Sequence, residues 1–460
     1  MIKLAANLST FNCMNLVEFK NRSNIFHPGV NMQDFEQHPP LHIITAKGAI
    51  LETTAGPVID AIGSWWCKPL GHRPPQIIKA IKKQLNKFDH VMTAQTTNTI
   101  MTELSEKLAQ LSKLPFSFFA SDGSSAVEIA LKLTLHARKI QGLNEKTKFL
   151  ALKHGYHGET LGTLSVSDLK KFKDPYRSHC FDTHFIEVPY IYSLTEPIST
   201  NASSDFSKIL PWLETIKPTL NAIIFEPIIQ GSAGMRIYSM DFLKRLILWA
   251  KNNNIYCIAD EIMTGLGRTG HWFAMDYIYN TDKDSAPTSL KPDIMCLAKG
   301  LTAGTLPLSV ALLSQELFDL FYFDKTYLPF IHSHTHSGNA LAVSAALATL
   351  TYMESISINQ KAILLQHKLH DAFNQIQTQT NILSNIRCIG GIIAADLNSY
   401  DEATFPKRLQ QIAQKRGALL RPIGNTLYWF LPLNITTNML AKLTEITYES
   451  IKETAGIPYV

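Results

Sequence analysis

Asp293-Ile294-Met295-Cys296-Leu297-Ala298-Lys299 is an apolar run closed by a lysine, and Gly300-Leu301-Thr302-Ala303-Gly304 follows it. Continuous apolar character is that of a strand buried on both faces. An ammonium at the end of such a strand is costly unless it is paired or chemically used. Upstream, a second apolar run, Ile255-Tyr256-Cys257-Ile258-Ala259, ends in Asp260-Glu261. Two strands that bring a lysine and an aspartate to one sheet edge suggest a pyridoxal phosphate (PLP) site. Lys299 would bond the cofactor and Asp260 would pair with its pyridinium nitrogen, keeping the ring an electron sink.

Working outward, short apolar runs alternate with helical periods. Phe118-Phe119-Ala120, Phe149-Leu150-Ala151, Ala222-Ile223-Ile224-Phe225 and Leu308-Ser309-Val310-Ala311-Leu312 read as further strands. Between them, Val127, Leu131 and Leu135 mark one face of a helix over 125–139, and Phe242, Leu243, Leu246 and Leu248 mark another near 240–252. Such alternation implies an α/β protein with a mostly parallel sheet covered on both faces. Earlier, Ile77, Ile78, Ile81 and Leu85 predict a helix from Pro75, and Leu104, Leu108 and Leu111 one over 97–113. After a helix at about 339–354 the pattern changes to helices over 358–378, 402–416 and 436–453 around a short sheet. These predict a large domain over 75–340 and a smaller α+β domain built from 1–74 and 341–460. The polar stretches 193–207 and 280–291 read as surface insertions.

A length of 460 residues supports a large buried core, and 45% hydrophobic with 18% charged residues is ordinary for a globular chain. The formal charge of +5 is small for this length and no basic block interleaves aromatics, which argues against a nucleic-acid partner. No run of apolar residues is long enough for a membrane span, and the opening Met1–Thr10 segment is broken by Asn and Ser too early for a signal-peptide core. Cys13, Cys67, Cys180, Cys257, Cys296 and Cys388 form no CxxC pair, so a reducing, cytoplasmic compartment is expected.

Other segments suit the same cofactor. Ser121-Asp122-Gly123-Ser124-Ser125 stands between a strand and a helix, where backbone N–H groups cradle phosphate or simply form an ordinary cap. In His154-Gly155-Tyr156-His157-Gly158 the glycines let Tyr156 lie flat on a ring, unless it is a core tyrosine in a turn. Two motifs invite other chemistry. Gly265-Leu266-Gly267-Arg268-Thr269-Gly270 fits GxGxxG, but starts well beyond its strand and lacks an acid at a strand end ~20 residues on, as a dinucleotide site needs. His332-Ser333-His334-Thr335-His336 puts three imidazoles on one face of a strand, yet has no Cys or carboxylate at a metal-site spacing. No metal is expected.

Together these residues resemble the class III, fold-type I PLP aminotransferases over nearly the whole chain. Ala259-Asp260-Glu261-Ile262, the Gly265–Gly270 run and Lys299 resemble the family's cofactor signature. The resemblance implies a mostly parallel seven-stranded sheet, transamination and a homodimer with active sites shared between subunits. Lys299, Asp260 and Tyr156 would be catalytic. Gly123 and Ser124 would hold the cofactor phosphate, and Thr335 would reach that of the neighbouring subunit. Gly63-Ser64-Trp65-Trp66, His154–Thr160 and Leu420-Arg421-Pro422 with Tyr428 resemble one branch of the family, whose acceptor carries a carboxylate at one end of an aliphatic chain. Arg421 would then grip the carboxylate, with Trp65, Trp66, Tyr156 and Tyr428 around the chain. Ornithine- and GABA-type relatives carry a glutamate near Ser232, which Glu226–Gly234 lacks. One departure is Gly29, in Phe26-His27-Pro28-Gly29, where the family has a substrate-contacting aromatic. It bears on the amino donor.

Overall fold

In a computed structural model, residues 24–192, 196–279, 290–325, 329–398 and 404–457 are described. Seven strands form the central sheet, in the spatial order Phe116–Ala120, Ser309–Leu313, Ile294–Leu297, Tyr256–Asp260, Leu220–Phe225, Lys148–Leu152, Thr183–Ile186. Neighbours are parallel except at Ser309–Leu313, which runs against both of its partners. The sheet is buried on both faces, as its unbroken apolar strands require. One cover is the helix Gly123–Ile140, whose Val127 and Leu131 are fully buried. Another is Met240–Asn252, which puts Phe242, Leu243 and Leu246 into the core.

The Tyr256–Asp260 and Ile294–Leu297 strands are adjacent and parallel, with Asp260 opposite Cys296. Both carboxyl ends therefore open on the same edge, where ligands bind in sheets of this kind.

Two smaller sheets adjoin. One pairs Ile43–Lys47, Ile50–Thr53 and Gly56–Asp60 with Ala418–Leu419, which lies parallel to Gly56–Asp60. The other joins Leu383–Ile389, Ile392–Leu397 and Thr426–Phe430. The Phe430 N–H donates to the Ala61 carbonyl at 2.8 Å, tying the two ends of the chain together. Helices Ile358–Thr380, Phe405–Lys415 and Thr437–Ala455 complete this side.

One expectation is corrected. The helix Pro75–Leu85 buries Ile77 but leaves Leu85 57% exposed, because the last turn directs Gln84 inward to donate to the Phe88 carbonyl. Of the polar stretch 193–207, positions 193–195 lie outside the described residues, and Ser203 begins a helix to Ile216 that buries Leu213. Of 280–291, positions 280–289 lie outside the described residues. Among the described residues no single helix is long and apolar enough to cross a membrane.

Candidate active site

At the carboxyl edge of the sheet lies a cavity of about 420 Å³. Its lining includes Lys299, Asp260, Tyr156, Gly123, Ser124 and Trp66. Lys299 leaves its strand in a left-handed conformation (φ 40°), which turns the residue off the strand line at some backbone cost. Its amine stands 4.7 Å from the centre of the Trp66 ring. Burial pulls its pKa below the ordinary lysine value, although the charges of Asp260 and Glu226 oppose the fall.

Asp260 is buried and fully engaged on one side. Its Oδ2 accepts from His157 Nδ1 at 2.8 Å and its Oδ1 from the Ile262 N–H at 3.1 Å. His157 is buried too, and among the described residues its Nε2 finds no partner. Glu226, beneath the Tyr156 loop, accepts the N–H of Tyr156 and that of Gly231, each at 3.0 Å. Burial raises the Glu226 pKa to about 7. The sequence names His157 and Glu226 within quoted motifs, but a polar residue's partner across the fold is not written in its neighbours.

At the other end of the cavity the helix Gly123–Ile140 begins, with Asp122 as its cap accepting from the Ser125 N–H at 3.0 Å. Gly158 (φ 129°) packs here so closely that a Cβ would fall 2.3 Å from Ser124 Oγ. Backbone N–H groups at a helix start, with small residues around them, suit an anionic group. Lysine, carboxylate and helix start thus surround one cavity, a donor set that fits a flat cofactor with a basic ring nitrogen and a phosphate.

The remaining sequence candidates lie elsewhere. Trp65 is 47% exposed and its ring carries the Arg421 guanidinium at 4.1 Å. Among the described residues no carboxylate pairs with Arg421. A Cβ on Gly29 would begin 3.3 Å from Arg421 Nη2 and 3.8 Å from the Trp65 ring, so the N-terminal segment crosses this patch. Tyr428 is buried behind Trp66 and its hydroxyl accepts from the indole N–H at 3.1 Å; burial pushes its pKa up to about 12. Thr335 is exposed, outside the cavity, and its carbonyl accepts from His90 Nε2 at 2.7 Å. Tyr156 donates its hydroxyl to Glu159 at 3.0 Å.

Trp65 and Trp66 sit in an unusual turn. Gly63, Ser64, Trp65 and Trp66 all have positive φ (54°, 44°, 66°, 73°), and the N–H groups of Trp66 and Cys67 bond the carbonyls of Ile62 and Gly63. This is one turn of left-handed helix, which costs roughly 1–2 kcal/mol for each non-glycine residue. Gly63 is required here, since a Cβ would meet the Phe430 carbonyl at 2.8 Å.

The two competing motifs have structural places. Arg268 of the Gly265–Gly270 run is buried and donates to the carbonyls of Gly391 and Leu431. Among the described residues no group of three or more side chains is arranged to hold a metal; His332 and His334 instead bond one another at 3.0 Å.

A strand-end lysine set against a carboxylate at the edge of this sheet defines a PLP-dependent enzyme of fold type I. The comparisons agree. The family model for class-III aminotransferases matches residues 32–451, and the chain belongs to that family. It is 33% identical to the adenosylmethionine-8-amino-7-oxononanoate aminotransferase of Helicobacter pylori over 93% of this chain and 96% of that one. The solved structure of the enzyme of that name from Methanocaldococcus jannaschii superposes with a TM-score of 0.84 at 30% identity, covering 95% of this chain and 99% of the other. A PLP-bound amine transaminase from an uncultivated Pseudomonas species superposes with a TM-score of 0.86 at 25% identity, covering 94% and 99%. This protein is a PLP-dependent aminotransferase acting on small amino compounds.

Proposed function

We propose that the chain transfers the amino group of adenosylmethionine to 8-amino-7-oxononanoate, forming 7,8-diaminononanoate for biotin synthesis in the cytoplasm. The observation that carries the reading is the Arg421 guanidinium on Trp65, with no carboxylate paired to it among the described residues, a bidentate receptor for the acceptor's carboxylate. Full-length identity to relatives of that name supports it. The reading takes the active unit as a homodimer, with a large domain over 75–340 and a small one from 1–74 and 341–460.

When bound, PLP supplies an electron sink for the bonds of the reacting carbon. Lys299 would hold the cofactor, and its amine would carry the proton from the donor's α-carbon. Its burial-depressed pKa favours the neutral, proton-accepting form. Asp260 keeps the ring nitrogen protonated, while His157 donates to its Oδ2 and fixes its orientation. Gly123 and Ser124 would hold the phosphate by their N–H groups, and the partner subunit's Thr335 would join them. Tyr156 covers the ring, held through its backbone by Glu226. Trp66 walls the substrate chain, with Tyr428 bracing it from behind. Donor and acceptor occupy this pocket in turn.

A second reading, lysine or a simple ω-amine as donor, is favoured by Gly29, which stands against Arg421 and Trp65 where the family has a substrate-contacting aromatic. Mixing the PLP-loaded protein separately with adenosylmethionine and with lysine decides the donor: the true one bleaches the visible cofactor band. Subsequent 8-amino-7-oxononanoate should restore it. If the band returns with other keto compounds and not with this one, the acceptor assignment falls.

A further inference from the structure

We infer that the left-handed turn Gly63–Trp66 is a substrate-positioning device, held in its conformation by Asp60, Ser64 and His72, none of which needs to touch substrate. This rests on the reading that substrate enters the Lys299 cavity past Trp66, and is independent of which amine is the donor.

The Asp60 carboxylate is spent on this turn. Its Oδ1 accepts from the N–H groups of Ser64 (3.0 Å) and Ile62 (3.3 Å). Its Oδ2 accepts from Ser64 Oγ at 2.7 Å and bonds His72 Nε2 at 2.8 Å. Asp60 is buried, so its hydrogen bonds are made in a medium where losing one is costly. On the far side, the Cys67 thiol donates to the Ser64 carbonyl and the Trp66 indole to Tyr428. An unfavourable backbone is thus fastened at both ends.

What the fastening achieves is a direction. Right-handed residues here would carry the two indoles to different positions. In the left-handed turn the Trp66 indole reaches the Lys299 amine and the Trp65 indole reaches Arg421, at 4.7 and 4.1 Å. The cofactor-bonding lysine and the Arg421 guanidinium are therefore spaced by two consecutive residues of one strained turn. Strain that persists at such a place, with dedicated hydrogen bonds, is expected where geometry matters for binding.

The test uses the PLP-loaded protein and two variants. Ser64→Gly removes the Oγ anchor while accepting a positive φ readily, so it is the variant suited to remain folded. Asp60→Asn keeps the shape and weakens the bond to His72. The rate of band bleaching is followed against the concentration of adenosylmethionine, lysine and benzylamine. For whichever amine bleaches the wild type, both variants should raise the half-saturating concentration about tenfold, with the limiting rate within about twofold. The unreacted cofactor band and the circular dichroism should not change. Unchanged half-saturation in both variants, or loss of the cofactor band in Ser64→Gly, overturns the assignment. If only benzylamine bleaches the wild type, the adenosylmethionine and lysine readings fall while this comparison still stands.

Discussion

The floor and the wall of the active site are built by opposite means. The floor, Lys299 and Asp260, hangs from the ends of two adjacent parallel strands in a regular sheet. The proposed wall, Trp66 with Trp65, Arg421 and Tyr428 beyond it, hangs from a left-handed turn and from residues more than 350 positions away in sequence. Regular architecture is enough to bring a lysine and a carboxylate together for chemistry common to a whole family. Irregular backbone, stabilised locally, shapes the part proposed to choose a substrate.

The largest effect should separate the two regions completely. Lys299→Ala should abolish the visible cofactor band and lower transamination by at least about a thousandfold, in line with loss of a proton-transferring group. Absorbance and a turnover assay check both together. Next, His157→Asn should lower kcat about tenfold to a hundredfold by removing a hydrogen bond to a buried carboxylate, and should shift the pH titration of the cofactor band. A merely structural histidine would leave that titration where it was. On the wall, Arg421→Ala should raise KM for 8-amino-7-oxononanoate about tenfold while the band keeps its position. An unmoved KM would remove Arg421 from the pocket.

The smallest effect concerns the ground beneath Tyr156. Burial raises the Glu226 pKa from 4.5 to about 7. The folded protein then binds this proton more tightly than the unfolded chain, so its stabilising contribution is full below pH 4.5 and is lost as pH rises to about 7. The loss is on the order of 3 kcal/mol at most. Denaturant unfolding of cofactor-free protein and of Glu226→Gln at several pH values should show a steeper decline for the wild type across that window. Parallel curves would refute the coupling.

The same contrast explains what was readable in the sequence. Lys299 and Asp260 end apolar runs, and consecutive runs of that kind pair in register, so local pattern alone brings them to one edge. Gly123 and Ser124 follow from a strand-to-helix junction for the same reason. The partnership of His157 with Asp260, and that of Asp60 with Ser64 and His72, left no mark, because each side chain's partner is set by tertiary packing. Gly63-Ser64-Trp65-Trp66 gave no warning of its handedness either: only one of the four is a glycine, and local propensity opposes the other three. Leu85 fitted the apolar period of its helix yet faces outward, since the period marks a face without saying where the helix stops.

One feature of the chain ends bears on how the molecule is made. Gly56–Asp60 takes Ala418–Leu419 as its sheet neighbour, and Trp66 bonds Tyr428. During synthesis, which runs from the N-terminus, the segment proposed to select substrate must wait for nearly the whole polypeptide before its neighbours exist. The strands bearing Asp260 and Lys299 have by then long left the ribosome. A nascent chain stalled short of position 418 would hold its chemical apparatus with no completed selector, and its unsatisfied edge at Gly56–Asp60 would be open to mispairing.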